Sequence, residues 1–392
     1  MEKYKLSDIF DFIRNGASIK QFDTKLGYPI TRIETISNSF IDINRMGYAD
    51  IIELGKYADY LLKDGDILMS HINSEKHLGK SAIYKEMNKD IIHGMNLLCL
   101  RPNKDICYPS YLNYFFNSNS FRSQIPRITK KSVNQASFSV SDLKNIKVSL
   151  PSLEKQESIA NILDKAQELV DKRREQIDLL DELVKSRFIG MFGDPVRNEK
   201  GWEEISLGEL FISDVDYRGK TPPKSSSGIP LISAANVKMG KIDLSNADYI
   251  SEEDYGNWLK RGIPDYNDIL ITTEAPMGRV ALYPEGLYQL SRRVIAFKPD
   301  KARLNSYFAL YTISSDSWQK RLYRKVRGST VPRILKPDLL AEEIQIPPIE
   351  LQNEFEQLVK QIYKIKEHMQ QNLTELENNF NSLMQRAFKG EL

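Results

Sequence analysis

Few side chains in this sequence are spaced for covalent chemistry. The four histidines, His71, His77, His93 and His368, form no HExxH motif and no cluster with cysteine. Two cysteines, Cys99 and Cys107, cannot alone build a disulfide framework or a four-ligand zinc site, and read as reduced thiols. Gly79-Lys80-Ser81 resembles the end of a phosphate loop, but the glycine required five residues earlier is Ser74. No glycine-rich turn of the GxGxxG type precedes a helix, so a dinucleotide or methyl-donor pocket is not expected. There is no nucleophile elbow either. Glu274 and Asp265 would serve as nuclease carboxylates only with a lysine two residues after Glu274, and that position is Pro276. The expectation is a chain without catalysis or a bound cofactor.

Charge is more informative. Lys and Arg number 55 against 53 Asp and Glu, a net charge of +2, so overall charge does not suggest a nucleic-acid partner. Local clustering does. No acidic residue lies between Asp105 and Asp142, a stretch holding Arg122, Arg127, Lys130 and Lys131. None lies between Asp316 and Asp338 either, where Lys320, Arg321, Arg324, Lys325, Arg327, Arg333 and Lys336 are found. Such cations neutralise phosphates, a sequence-independent and salt-sensitive term. Polar side chains beside them suit base edges: Asn134 and Gln135 in the first stretch, with Arg218, Lys220, Ser329, Thr330 and Arg333 in the second half. The plainer reading is a solvated helix face balanced by acids nearby in space.

The elements that must hold these residues occur twice. Leu6-Ser7-Asp8-Ile9-Phe10 returns about 200 residues later as Leu207-Gly208-Glu209-Leu210-Phe211. Asp66–Ser70 returns as Asp268–Thr272, Gly79–Tyr84 as Gly278–Tyr283, and Ser110-Tyr111-Leu112 as Ser306-Tyr307-Phe308. Leu150-Pro151 with Gln156 returns as Ile346-Pro347 with Gln352. The order never breaks and the spacing drifts only by small loop insertions, so the chain is a tandem duplication with diverged halves.

Each half begins with short β-like runs such as Asp66–Ser70 and Asp268–Thr272, cut by Gly, Pro, Asn and Asp. Tyr111–Phe116 and Tyr307–Ile313 read as a helix within each globular part. A long charged strip follows. In the first copy Ile159, Leu163, Ala166, Val170, Ile177, Leu180, Val184 and Phe188 recur at helical spacing. In the second the stripe is Phe355, Leu358, Ile362, Ile365, Met369, Leu376, Leu383 and Ala387. Each strip runs about 37 residues against a usual helix of roughly 11 or 12, long enough for a coiled coil. The competing expectation is a core helix packed on its own globular part. Paired antiparallel around a pseudo-two-fold, the strips would form a rod of about 55 Å with a globular head at each end.

Hydrophobic residues at 41% and charged residues at 28% permit sizeable cores in about two or three domains. The first residues lack the apolar core of a signal peptide, and no apolar run approaches the roughly 20 residues that span a bilayer. A cytoplasmic protein without membrane contact is expected.

These features together resemble the specificity (S) subunit of type I restriction–modification systems, over essentially the whole chain. The motifs that carry the resemblance include Tyr217-Arg218-Gly219-Lys220-Thr221-Pro222-Pro223, Gly228-Ile229-Pro230-Leu231-Ile232 with Asn236, and Gly328-Ser329-Thr330-Val331. Ile346-Pro347-Pro348 and the ending Ser382–Leu392 complete them. The first half departs, with Ile13-Arg14-Asn15-Gly16 and Lys131-Ser132-Val133-Asn134 at the corresponding places. The resemblance implies an α+β chain with target recognition domains at 1–153 and 196–349, separated by helical conserved regions at 154–195 and 350–392. Each recognition domain would read one half of a bipartite target in double-stranded DNA, and the antiparallel coiled-coil spacers would set the gap. The spacers would dock two modification (methyltransferase) subunits, with restriction subunits alongside. S-adenosylmethionine, ATP and Mg would belong to those partners. The alternative is a stand-alone DNA-modifying enzyme, nuclease or methyltransferase, with an unrecognised active site; a coiled-coil scaffold for proteins alone is a third reading.

Overall fold

In the computed structural model of the chain, the residues described are 2–23, 25–36, 40–87, 89–132, 135–217, 222–326 and 331–392. They divide into two units, 1–174 with 372–392, and 175–371. The duplication is visible strand by strand. The first unit holds an antiparallel sheet of β1 (Phe10–Asn15), β2 (Ile67–Ser70), β3 (Ser81–Ile83) and β4 (Leu97–Pro102), in the order β1-β4-β2-β3. After helices α1 (Pro109–Asn117) and α2 (Leu153–Phe192), the second unit repeats this sheet. Its strands are β5 (Phe211–Asp216), β6 (Ile269–Thr272), β7 (Val280–Leu282) and β8 (Val294–Pro299), in the matching order β5-β8-β6-β7. Even the irregularity is copied: the register slips between Phe10 and Phe12 in one sheet and between Phe211 and Ser213 in the other.

Central strands β2 and β6 are buried on both faces, which is why they read as unbroken apolar runs. Alternation sorts their side chains. Ile67 and Met69 face the core under α1, whereas Leu68 joins Cys99, Leu97 and Ala82 in a smaller cluster behind the sheet. Ile269 and Ile271 divide from Leu270 in the same way. Each unit is closed by pairing its first and last strands, Glu2–Lys5 with Lys147–Leu150 and Glu203–Ser206 with Glu343–Ile346.

The long strips are continuous helices, α2 and, after α3 (Ser306–Ser314) and α4 (Asp316–Tyr323), α5 (Ile349–Lys389). Their inner stripes are core. In the first unit Ile159, Ala160 and Leu163 of α2 pack with Ala387 of α5 and with Tyr111 and Phe115 of α1. In the second, Val184, Phe188 and Phe192 of α2 join Phe355, Val359 and Ile362 of α5 over Phe308. Burying one such aromatic contributes about 1.5–3 kcal/mol. The segments of α2 and α5 run antiparallel within each unit: Arg174 meets Glu377 at 2.6 Å in the first, Asp181 meets Lys366 at 2.6 Å in the second. The expected stripe needs one correction. Ile365 is 51% exposed, and Val359 and Leu373 occupy the seam instead, because the inward face advances by alternating steps of three and four.

A buried glutamine fastens each globular part to its helix. Gln156 Oε1 accepts from the Tyr108 amide at 3.0 Å, while its Nε2 donates to the Ile106 and Pro151 carbonyls at 3.1 and 3.0 Å. Gln352 repeats all three contacts with Asn305, Arg303 and Pro347 at 2.9, 3.0 and 2.8 Å.

Candidate nucleic-acid interface

Both acid-free stretches return to the same place, the exit of the central strand. In the first unit Lys130–Lys131 and Ala136–Ser137 form a hairpin, and its second arm pairs with Ile72–Asn73 just beyond β2. The Phe138 amide then donates to the His71 carbonyl at 3.1 Å. In the second unit Arg333 bridges Glu274 just beyond β6, and the Ile334 amide donates to the Thr273 carbonyl at 3.0 Å. Sequence reading located the stretches but not this docking, since strands of two residues carry no periodicity.

The anticipated residues fare differently. Arg127, Lys130 and Gln135 are exposed, and Gln135 uses its carbonyl to receive the Ser132 amide at 2.8 Å. Exposed Lys131 sits 2.9 Å from Glu75. Arg122 is half-buried and donates to the Lys76 and Leu78 carbonyls at 3.3 and 3.1 Å, so it braces the loop after β2. Burial draws its pKa down. Lys325 is held by the buried carboxylate of Glu342 at 2.5 Å, with Arg321 on the other oxygen at 3.2 Å. Its charge is thus engaged in the fold. Arg333 is exposed beside Glu274, which also meets Arg293 at 3.3 Å. Asn134, Arg218, Lys220, Arg327, Ser329 and Thr330 lie outside the described residues.

Other cations join them. Lys76, His77 and Lys80 surround Arg122, and after burial their mutual repulsion is the next cause lowering the pKa of His77 and of Lys80. The signal was present in the spacing: Ser70 to Gly79 is nine positions where Thr272 to Gly278 is six, and Glu75-Lys76-His77 lies in that longer connection. In the second unit Lys320 and Arg324 are exposed one turn apart. Among the described residues the arrangement offers phosphates several cations, with the polar side chain of Gln135 exposed beside them. By contrast, His71 and His93 are buried, and burial pushes both down to about 4. Among the described residues no group of three His, Cys, Asp or Glu is placed to hold a metal ion.

Comparison with known proteins agrees with this duplicated design. The model of the type I restriction modification DNA specificity domain matches twice, at residues 1–179 and 199–378. The MjaX type I restriction enzyme specificity subunit of Methanocaldococcus jannaschii is 34% identical over 407 aligned positions, covering 100% of this chain and 93% of that protein. The EcoKI specificity subunit of Escherichia coli is 26% identical over 179 positions, 45% of this chain and 38% of its own. Among solved structures, the S subunit from M. genitalium aligns with a TM-score of 0.57 at 15% identity, covering 98% of this chain and 95% of that one. A chain from a study of type I R-M complex assembly aligns with a TM-score of 0.57 at 17% identity, covering 100% and 98%. These structures support the fold, and the two domain matches with the full-length relative settle the kinship: this chain belongs to the type I restriction–modification DNA specificity family.

Proposed function

We propose that this chain is the DNA-reading subunit of a type I restriction–modification complex, itself without catalytic activity, with each unit reading one half of a bipartite target. The observation that carries this reading is the twofold occurrence of one arrangement, a locally basic, acid-free stretch docked at the exit of the central strand. The scaffold is shared and the side chains differ, as two unlike half-sites require. Helices α2 and α5 set the number of unread base pairs between the half-sites. Their outer faces dock the modification subunits, which bring S-adenosylmethionine; restriction subunits bring ATP and Mg. A cytoplasmic location fits, and among the described residues no helix is long and apolar enough to cross a membrane.

Genome-wide methylation mapping with and without this chain tests the proposal. A two-part methylated motif that disappears with the chain is expected. Incubating the purified chain alone with duplex DNA and S-adenosylmethionine tests the enzymatic alternative, since turnover without a partner would establish catalysis here.

A further inference from the structure

The same backbone bridge carries opposite chemistry in the two units. Beyond β2 the bridge joins Ile72 to Ser137, and beyond β6 it joins Glu274 to Arg333. The correspondence is fixed on both sides. Phe138 donates to His71 as Ile334 donates to Thr273, each one residue along from the bridge. A third position follows suit: Leu97 pairs with Ser70 as Val294 pairs with Thr272, which matches Asn96 to Arg293. One unit therefore presents Ile, Ser and Asn where the other presents Glu, Arg and Arg. Among the described residues none of these six is a member of the hydrophobic clusters, and Ile72, Ser137, Glu274 and Arg293 are half-exposed.

A carboxylate at a cation-rich rim is costly beside phosphates unless it meets a donor. Arg293, at 3.3 Å from Glu274, offsets that cost without covering the side chain, whose exposure is 34%. In the major groove a G·C pair offers two acceptors on guanine, matched by Arg, and the cytosine amino group, matched by Glu. An A·T pair offers the thymine methyl, which an aliphatic side chain touches, and polar edges that a hydroxyl reaches. Directly bridged residues have Cβ atoms about 4.5–5.5 Å apart, close enough for both side chains to serve one base pair.

Resting on the DNA-reading function proposed above, we infer that this bridge is a specificity-determining pair. Glu274 and Arg333 read one G·C base pair in the half-site of the second unit. Ile72 and Ser137 read one A·T base pair at the corresponding place in the half-site of the first.

The test presents a randomised duplex DNA pool to the full-length chain assembled with its modification subunits, and sequences the bound fraction. The double variant E274I/R333S should lose preference for one G·C pair by about tenfold or more, leaving every other position intact. The reciprocal I72E/S137R should create a G·C preference at one position of the other half-site. E274Q, nearly isosteric, guards against misfolding and should relax selection at the same single base pair. Folded variants that all select the wild-type motif would overturn the inference and leave the DNA-reading function standing. A wild-type complex that selects no sequence would overturn that function and the inference together.

Discussion

Arg101 grips Asp66 with a two-pronged contact, Nε on Oδ1 and Nη2 on Oδ2, both at 2.7 Å. Its counterpart in the second repeat is Lys298, which turns to Asp265 and holds that carboxyl below the usual range. Asp268, the counterpart of Asp66, is left with the Asp265 amide on one oxygen and no partner on the other. It is 3% exposed, and burial pushes it up to about 6. A lysine cannot reproduce the guanidinium fork, so Asp268 lacks the two-pronged partner that Asp66 has.

The pH dependence follows. The folded chain favours neutral Asp268, so the stability this group contributes is complete below its unfolded value near 3.8 and is lost as pH rises through about 6. Asp268→Asn should remove that loss, making the second unit more stable at pH 8 by about 1–3 kcal/mol while changing little near pH 4. All three tryptophans, Trp202, Trp258 and Trp318, belong to this unit, so their fluorescence during denaturant unfolding reports on it. Equal stabilisation at both pH values would contradict the assignment.

The first unit should be convertible to the same condition. Arg101→Lys keeps the charge but gives up the fork around a carboxylate whose side chain is 1% exposed. We expect a loss of about 1–3 kcal/mol, seen as faster amide hydrogen exchange across Ile67–Ser70, with no matching change in Ile269–Thr272.

Gln156 and Gln352 provide a second matched pair. Each side chain satisfies three backbone groups in a buried place where water cannot substitute. Replacing either by Leu preserves approximate volume and strands those groups, at an expected cost of about 2–4 kcal/mol. Thermal unfolding should show a loss for both variants, and a stability change under half a kilocalorie per mole for either would argue that the contacts are incidental.

How much of this was legible in the residues depends on range. The duplication, the two-part texture of each half and the helical strips are local or periodic, so sequence alone carried them. Ile365 shows the limit of periodicity: Ile362 and Ile365 both suit a stripe, and only packing decides which one lies in the seam. Partnerships over long separations were invisible. Nothing about Lys325 announces that its charge rests against Glu342, and nothing about Arg122 announces that it braces the Lys76 and Leu78 carbonyls.

Cations near the strand exit should therefore separate by what they already hold. Lys130→Ala with Lys131→Ala removes exposed charge and should weaken DNA binding with a shallower dependence on salt, roughly one fewer counterion released for each phosphate no longer neutralised. Lys325→Ala should instead lower unfolding stability by about 1–2 kcal/mol through Glu342, with the salt slope retained. Binding isotherms at several salt concentrations distinguish the two, and a slope insensitive to Lys130 and Lys131 would remove them from the interface.

The helices can be tested as a ruler for the DNA target. Deleting Asp171–Ile177 from α2 together with Gln370–Leu376 from α5 removes one heptad from each and preserves the phase of the buried stripe, because Val170 and Val184 then fall seven apart. Seven residues at roughly 1.5 Å each shorten a helix by about 10 Å, close to three base pairs at 3.4 Å. Three base pairs also turn the duplex by roughly a quarter to a third of a revolution, whereas a heptad drifts only about 20°. The shortened protein must twist its DNA to engage both half-sites. Weaker binding is thus expected, with unchanged half-sites and a gap about three base pairs narrower. Methylation mapping of the variant reads all three, and an unaltered gap would show that something other than the helices sets it.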